Sequence, residues 1–164
     1  MVYALAAQLG MHSEDSPNKT QGPVTTAANE DGQAWPAADN GKDYYVSRNG
    51  VTFAGTHLLI DLWGASNLDR LDLVEEALRQ SAIVAGATIL HCHLHHFQPN
   101  GGISGVLVLA ESHISIHSWP ERGYAALDVF MCGDCDPYKA IPILKAAFTP
   151  AFVTLGENKR GLMP

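Results

Sequence analysis

Apolar and polar positions change period several times along the chain, and each change marks a structural element. His57-Leu-Leu-Ile-Asp-Leu-Trp63 reads as a strand, ended by a turn at Gly64-Ala-Ser-Asn67. Asp72-Leu-Val-Glu75 has the form of a capping box, and Leu71, Val74, Leu78, Ala82 and Ala85 recur at helical spacing up to Gly86, which predicts an amphipathic helix. Ala87–Phe97 reads as a strand, Gln98-Pro-Asn-Gly-Gly102 as a turn and Ile103–Ala110 as the next strand. His113–Trp119 and Tyr124–Met131 form a further pair, joined by Pro120-Glu-Arg-Gly123. Asp136 and Pro137 suit the N-cap and first position of a second helix running to Phe148, with Pro142 expected to disturb it. Ala151–Leu155 supplies a last strand. The order strand, helix, four strands, helix, strand predicts an α+β two-layer sandwich: a largely antiparallel sheet with helices on one face. The other face needs cover, and a second copy is the expected source, the two sheets pairing across a homodimer.

Upstream the pattern fades. From Ser13 to Lys42 small polar residues, Ala, Gly and Pro dominate with no sustained period. Residues 1–54 are therefore expected to be a disordered leader, with Tyr44–Phe53 adding at most a short strand or docking on the core, and residues 55–164 to be the folded domain. The 164 residues suit one domain. A formal charge of -7 disfavours a phosphate-backbone partner, so nucleic acid is not expected. No run reaches the length of a membrane span, and apolar Met1–Gly10 lacks the basic start of a secretory signal. Three cysteines, an odd number, fit reduced thiols and a cytoplasmic setting.

Several clusters could carry chemistry. In His91-Cys-His-Leu-His-His96, strand alternation puts His91, His93 and His95 on one face and Cys92 and His96 on the other. With Cys132-Gly-Asp-Cys135 this offers a zinc-dependent enzyme as one alternative, although a structural zinc site normally has two such cysteine pairs. Helical Glu75 and Glu76 read as a solvated face. Asp61, on an apolar strand, reads equally as a carboxylate for a cation and as an interface salt bridge, and Asp128 is a further acid. Around Ser112 two histidines invite a hydrolase reading, but no Gly-x-Ser-x-Gly elbow is present.

The same segment is far more specific as a whole. Glu111-Ser112-His113-Ile-Ser-Ile-His117-Ser-Trp-Pro-Glu121, followed by Gly123-Tyr-Ala-Ala-Leu-Asp128 and Phe130-Met-Cys132-Gly133, resembles the signature of the prokaryotic S-adenosylmethionine decarboxylases. Gly86-Ala-Thr88 and His96-Phe-x-Pro99 extend the resemblance, which runs from about Gly55 to Leu155. It implies a pyruvoyl enzyme that cuts itself between Glu111 and Ser112 and turns Ser112 into the pyruvoyl group that forms a Schiff base with substrate. It further implies Ser104 as oxyanion donor and His117 as base during processing, Cys132 as proton donor in turnover, Phe97 against the substrate adenine and Glu121 at its ribose. Strand alternation alone sets Ser112 and His117 on opposite faces, so a tight, strained turn is expected at the scissile bond. The implied substrate is S-adenosylmethionine, whose decarboxylation supplies the aminopropyl donor for spermidine synthesis. Gln98 and the Pro99–Gly102 turn depart from the family pattern beside the pocket, which keeps ornithine or arginine as alternative substrates. An uncleaved binding or regulatory homologue is the other alternative, opposed by the presence of Ser104, Ser112, His117 and Cys132.

Overall fold

A computed structural model describes residues 44–163; of the leader expected over residues 1–54, the first 43 residues lie outside them. The chain enters through a hairpin of β1 (Val46–Arg48) and β2 (Val51–Phe53), within the stretch assigned to the leader, where the sequence had left room for a short strand. Phe53 at its end is buried, which ties the hairpin to the rest of the fold.

Six strands then build the main sheet: β3 (Gly55–Trp63), β4 (Ile89–His96), β5 (Ile103–Leu109), β6 (Ser112–Trp119), β7 (Tyr124–Cys132) and β8 (Phe152–Arg160). Their spatial order is β4-β5-β6-β7-β3-β8 and every pairing is antiparallel. Two helices, α1 (Leu71–Ala85) and α2 (Ala140–Phe148), complete the expected α+β architecture. Alternation along the strands builds the core: Leu58, Ile60 and Leu62 of β3, Leu107 and Leu109 of β5, Ile114 and Ile116 of β6, and Leu127 and Val129 of β7 meet Val74, Leu78 and Ala82 of α1 and Leu144 and Phe148 of α2. The opposite set, including His57, Asp61, Ser104, His113, His117 and Asp128, faces away from the helices, and this open face carries most of the polar chemistry.

Three local readings are corrected. Helix α1 begins at Leu71 behind an Arg70 N-cap that offers no side-chain bond, so Asp72 is already inside the first turn and the Asp72–Glu75 capping box does not form. Asp72 pairs instead with Arg70 and Glu75 with Arg79, one turn on. The helix ends where expected: Gly86 takes φ 84°, with open space around its α-carbon, so backbone conformation is what favours glycine there. The second helical segment divides. Asp136 does cap it, accepting from the Tyr138 N–H at 3.1 Å, but Pro137–Lys139 winds as a 3-10 turn before α2 starts at Ala140. Pro142 then falls in the first turn of α2, where its missing N–H breaks no bond, so it does not disturb the helix. Strand β8 outruns its expected end at Leu155 by five residues, through Glu157, Asn158, Lys159 and Arg160, because an edge strand tolerates polar side chains.

Candidate active site

Ala110 and Glu111 form a two-residue turn between β5 and β6, with Leu109 opposite Ser112. The turn is held at three points: the Ala110 N–H donates to Thr88 O at 2.9 Å, the Thr88 N–H to Glu111 Oε2 at 2.8 Å, and the Cys132 N–H to the Glu111 carbonyl at 3.0 Å. Ser112, leaving this clamped turn, has φ 136°, a conformation that side-chain-bearing residues rarely adopt. Such a residue costs on the order of 1–3 kcal/mol and persists only where its surroundings over-determine it. The strained turn expected at the Glu111–Ser112 bond is present, at that bond.

Beside it opens a cavity of about 330 Å³ lined by Tyr44, Tyr45, Ala54, Ala110, Glu111, Ser112, Phe130 and Cys132. Cys132 ends β7 one register position beyond the partner of Ser112, so the two expected catalytic residues share one cavity. Burial pushes the Cys132 thiol above its ordinary value, and the Glu111 carboxylate adds to this, so the thiol holds its proton at neutral pH. The Ser112 hydroxyl lies 3.2 Å from His113 Nδ1. Around it, His57, His113 and Phe130 form a ring cluster with centroids 5.3–6.2 Å apart. Arg160 donates to His57 Nδ1 at 3.3 Å, and because guanidinium only donates, His57 Nε2 carries the hydrogen that bonds Asp128 Oδ1 at 3.1 Å. Ser115 donates to the other oxygen of Asp128 at 2.8 Å.

The remaining expected residues gather at the other end of the sheet. Ser104 Oγ and His117 Nδ1 are 2.8 Å apart on directly paired positions of β5 and β6. Phe97 follows β4, its ring 45% exposed and 4.5 Å from that of His95, which is itself paired with Ser104. Glu121 is exposed in the 3-10 turn Pro120–Arg122 after β6. Ser112 and His117 are five residues apart on one straight strand, so their α-carbons stand about 16 Å apart. Within one chain, the Ser112–Cys132 group and the Ser104–His117 group do not meet.

A row of aromatic rings crosses that second end of the open face. Phe152, Trp63, Tyr124 and Trp119 follow one another with centroid spacings of 6.0, 4.4 and 5.3 Å, and Trp63, Trp119 and Phe152 are exposed. Asp61 sits behind it and takes hydrogen bonds from Tyr124 OH at 2.6 Å and Thr154 Oγ1 at 3.0 Å. Its partners within the chain are thus neutral hydroxyls, and the bond to Asp61 pushes the Tyr124 hydroxyl up to about 12. The histidine tract alternates as expected, but same-face neighbours on a strand stand about 6.6 Å apart at their α-carbons. Among the described residues no three His, Cys, Asp or Glu groups converge on a metal position, and Cys135 is buried with its thiol donating to Gly86 O. The zinc reading therefore lacks a ligand set there. Glu75 and Glu76 bond Arg79 and Gln80 along the outer face of α1, the solvated face expected of them.

Sequence reasoning missed three features of the site. Consecutive strand residues point to opposite faces, so nothing suggested that His113 would reach the Ser112 hydroxyl; the positive φ of Ser112 breaks the alternation. The Cys132 backbone amide, rather than any side chain, is the donor on the Glu111 carbonyl. Tyr44 and Tyr45 come from the presumed leader, where an aromatic pair before a short alternating stretch was the available signal.

Comparison with known proteins gives this arrangement a context. A family model described as S-adenosylmethionine decarboxylase matches residues 56–161. The chain is similar to a protein of Thermomicrobium roseum named S-adenosylmethionine decarboxylase proenzyme, 43% identical over 110 residues, covering 66% of this chain and 95% of the relative. A Thermotoga maritima protein of the same name is 44% identical over 110 residues, covering 65% of this chain and 84% of its own. Among solved structures, the adenosylmethionine decarboxylase from Aquifex aeolicus superposes with a TM-score of 0.62 at 37% identity, covering 68% of this chain and 94% of that one.

Proposed function

This chain belongs to the S-adenosylmethionine decarboxylase family, and from that premise we propose that it is a self-cleaving, pyruvoyl-dependent carboxy-lyase acting on S-adenosylmethionine. The observation that carries the reading is the Glu111–Ser112 turn: a serine with φ 136° directly follows a carbonyl that the Cys132 N–H already holds. Attack converts the peptide bond to an ester. Elimination then releases the Glu111 carboxylate, and hydrolysis of the remaining enamine expels ammonia and leaves a ketone on the new N-terminus. The residues present fit such a group: Ser112 supplies the three carbons, the 330 Å³ cavity opens beside it, and a protonated thiol stands in the same cavity. Such a group at position 112 would supply a carbonyl for the substrate α-amine and an electron sink for the pair released with carbon dioxide, the chemistry pyridoxal phosphate supplies elsewhere. Cys132 then returns a proton to the α-carbon. Phe97 stacks on the adenine and Glu121 bonds the ribose, and the product is the aminopropyl donor for spermidine synthesis.

The 16 Å between Ser112 and His117 supports a homodimer with shared sites. Two sheets packed open face to open face about a two-fold axis that crosses the strands bring opposite ends together, an arrangement that would set the Ser104–His117 end of one subunit over Ser112 of the other. Co-production of Ser112→Ala and His117→Ala chains tests this. Each variant alone stays uncut, whereas mixed dimers cut the His117→Ala chain; verified mixed dimers that remain uncut would contradict a shared site. The functional unit also reaches back before Gly55, because Tyr44 and Tyr45 line the cavity. The unpaired cysteines Cys92, Cys132 and Cys135 support a reducing, cytoplasmic setting.

A substrate panel tests the reaction itself. Carbon dioxide release is expected from S-adenosylmethionine and not from ornithine or arginine, because the exposed Phe97 ring offers a platform for a base that neither of those substrates carries. Release from ornithine or arginine alone would overturn the substrate while leaving the pyruvoyl chemistry standing.

A further inference from the structure

Attack of Ser112 on Glu111 requires that the hydroxyl lose its proton, and among the described residues one side chain is positioned to receive it. His113 Nδ1 lies 3.2 Å from Ser112 Oγ, while His117 is committed to Ser104 at the other end of β6. The approach depends on the φ of 136° at Ser112, which turns its side chain toward the open face that His113 occupies. His113 is wedged between Val108 of β5 and Phe130 of β7, its ring edge-on to those of Phe130 and His57. Desolvation and the neighbouring His57 hold it below its ordinary value, with Arg160 acting the same way and Asp128 opposing, so the neutral ring is favoured, and its Nε2–H tautomer turns the Nδ1 lone pair to the Ser112 hydroxyl.

Taking Glu111–Ser112 as the scissile bond, we infer that His113 is the catalytic base of the first step of self-cleavage, accepting the Ser112 hydroxyl proton as Oγ attacks the Glu111 carbonyl. The electron pair of the carbonyl moves onto oxygen, where the Cys132 N–H meets it. As the oxyanion collapses, the bond from Glu111 carbon to Ser112 nitrogen breaks, and the imidazolium of His113 gives its proton to that nitrogen. The step is an isomerisation: one O–H and one C–N bond are exchanged for one C–O and one N–H bond, with no proton gained or lost. The later removal of the Ser112 α-proton is a separate event and does not use His113.

The test follows cleavage of the freshly synthesised full chain by intact mass against time, for wild type, His113→Asn and His113→Ala. Asn keeps an acceptor near the Nδ1 position but takes no proton, so cleavage is expected to slow by about 100-fold or more. Added imidazole is expected to restore cleavage in His113→Ala, a rescue that a packing role would not give. The wild-type rate should rise with pH through a midpoint below the ordinary histidine value of about 6.5. That midpoint should vanish in His113→Asn. The charged and titratable groups facing His113 are His57 of β3, Asp128 of β7 and Arg160 of β8, with Glu111 and Cys132 on the adjoining cavity. Wild-type speed and an unchanged pH profile in His113→Asn would overturn the inference while leaving self-cleavage intact. Should both variants fail to fold, the wild-type profile decides: a rate that does not fall with decreasing pH anywhere below about 6.5 while the chain stays folded overturns the role. A wild-type chain that never cuts would overturn the proposed function and this step together.

Discussion

Ser112→Ala is expected to leave a single uncut chain with no decarboxylase activity above the uncatalysed background. The hydroxyl is both the nucleophile that opens the Glu111–Ser112 bond and the source of the reactive ketone, so its loss removes processing and turnover in one change. Folding should survive it. The side chain is small, its one hydrogen bond is to an adjacent histidine, and the turn stays clamped through Thr88, Glu111 and Cys132, whose bonds the substitution does not touch. Denaturing mass spectrometry and a carbon dioxide assay read the two effects separately. Cleavage in Ser112→Ala would move the scissile bond elsewhere, and activity without cleavage would remove the pyruvoyl group from the reaction.

Cys132→Ala separates what Ser112→Ala joins. Its contribution to cleavage is a backbone N–H on the Glu111 carbonyl, which alanine keeps, so the variant is expected to cut itself nearly as fast as wild type. Its contribution to turnover is a proton, which alanine lacks, so kcat should fall by about 100- to 10,000-fold. The sign of the pH dependence follows from the raised thiol. Burial and the Glu111 charge favour the protonated form, so the donor is intact at and below neutral pH and is lost only as pH rises through a pKa above the ordinary thiol range. Cleavage leaves a new carboxylate where the Glu111 carbonyl stood, beside the same amide, which strengthens the effect. A Cys132→Ala enzyme that turns over at the wild-type rate would assign the proton to another group. One that fails to cut would mean that the thiol acts in processing as well.

The order of elements was legible because the apolar periods are clean: Leu58, Ile60 and Leu62 alternate on β3, and Val74, Leu78 and Ala82 recur on α1, each set facing the core. Errors arose where a local signal competes with a neighbour. Asp72 and Glu75 have the spacing of a capping box, but Arg70 and Arg79 take their carboxylates and the N-cap falls two residues earlier, at Arg70. At the site, the resemblance carried by the Glu111–Glu121 and Gly123–Gly133 segments is what named Ser112 and Cys132, and antiparallel pairing of β6 with β7 brings them into one cavity. Five residues on one strand already separate Ser112 from His117, and what the sequence left open was the pairing of β5 with β6 that sets Ser104 opposite His117 at that far end. His113 was hidden by strand parity, since the backbone of Ser112 departs from the strand conformation on which the rule depends.

The most direct measurement is the intact mass of the purified full-length protein under denaturing conditions. Self-cleavage at Glu111–Ser112 divides the 17.6 kDa chain into pieces of about 12 and about 6 kDa in proportion to length, the smaller one carrying a ketone in place of an N-terminal amine. Those two masses, with the smaller chain refractory to Edman degradation and reactive toward a hydrazine, are the predicted result. A single chain of 17.6 kDa from active protein would contradict the pyruvoyl enzyme at its foundation.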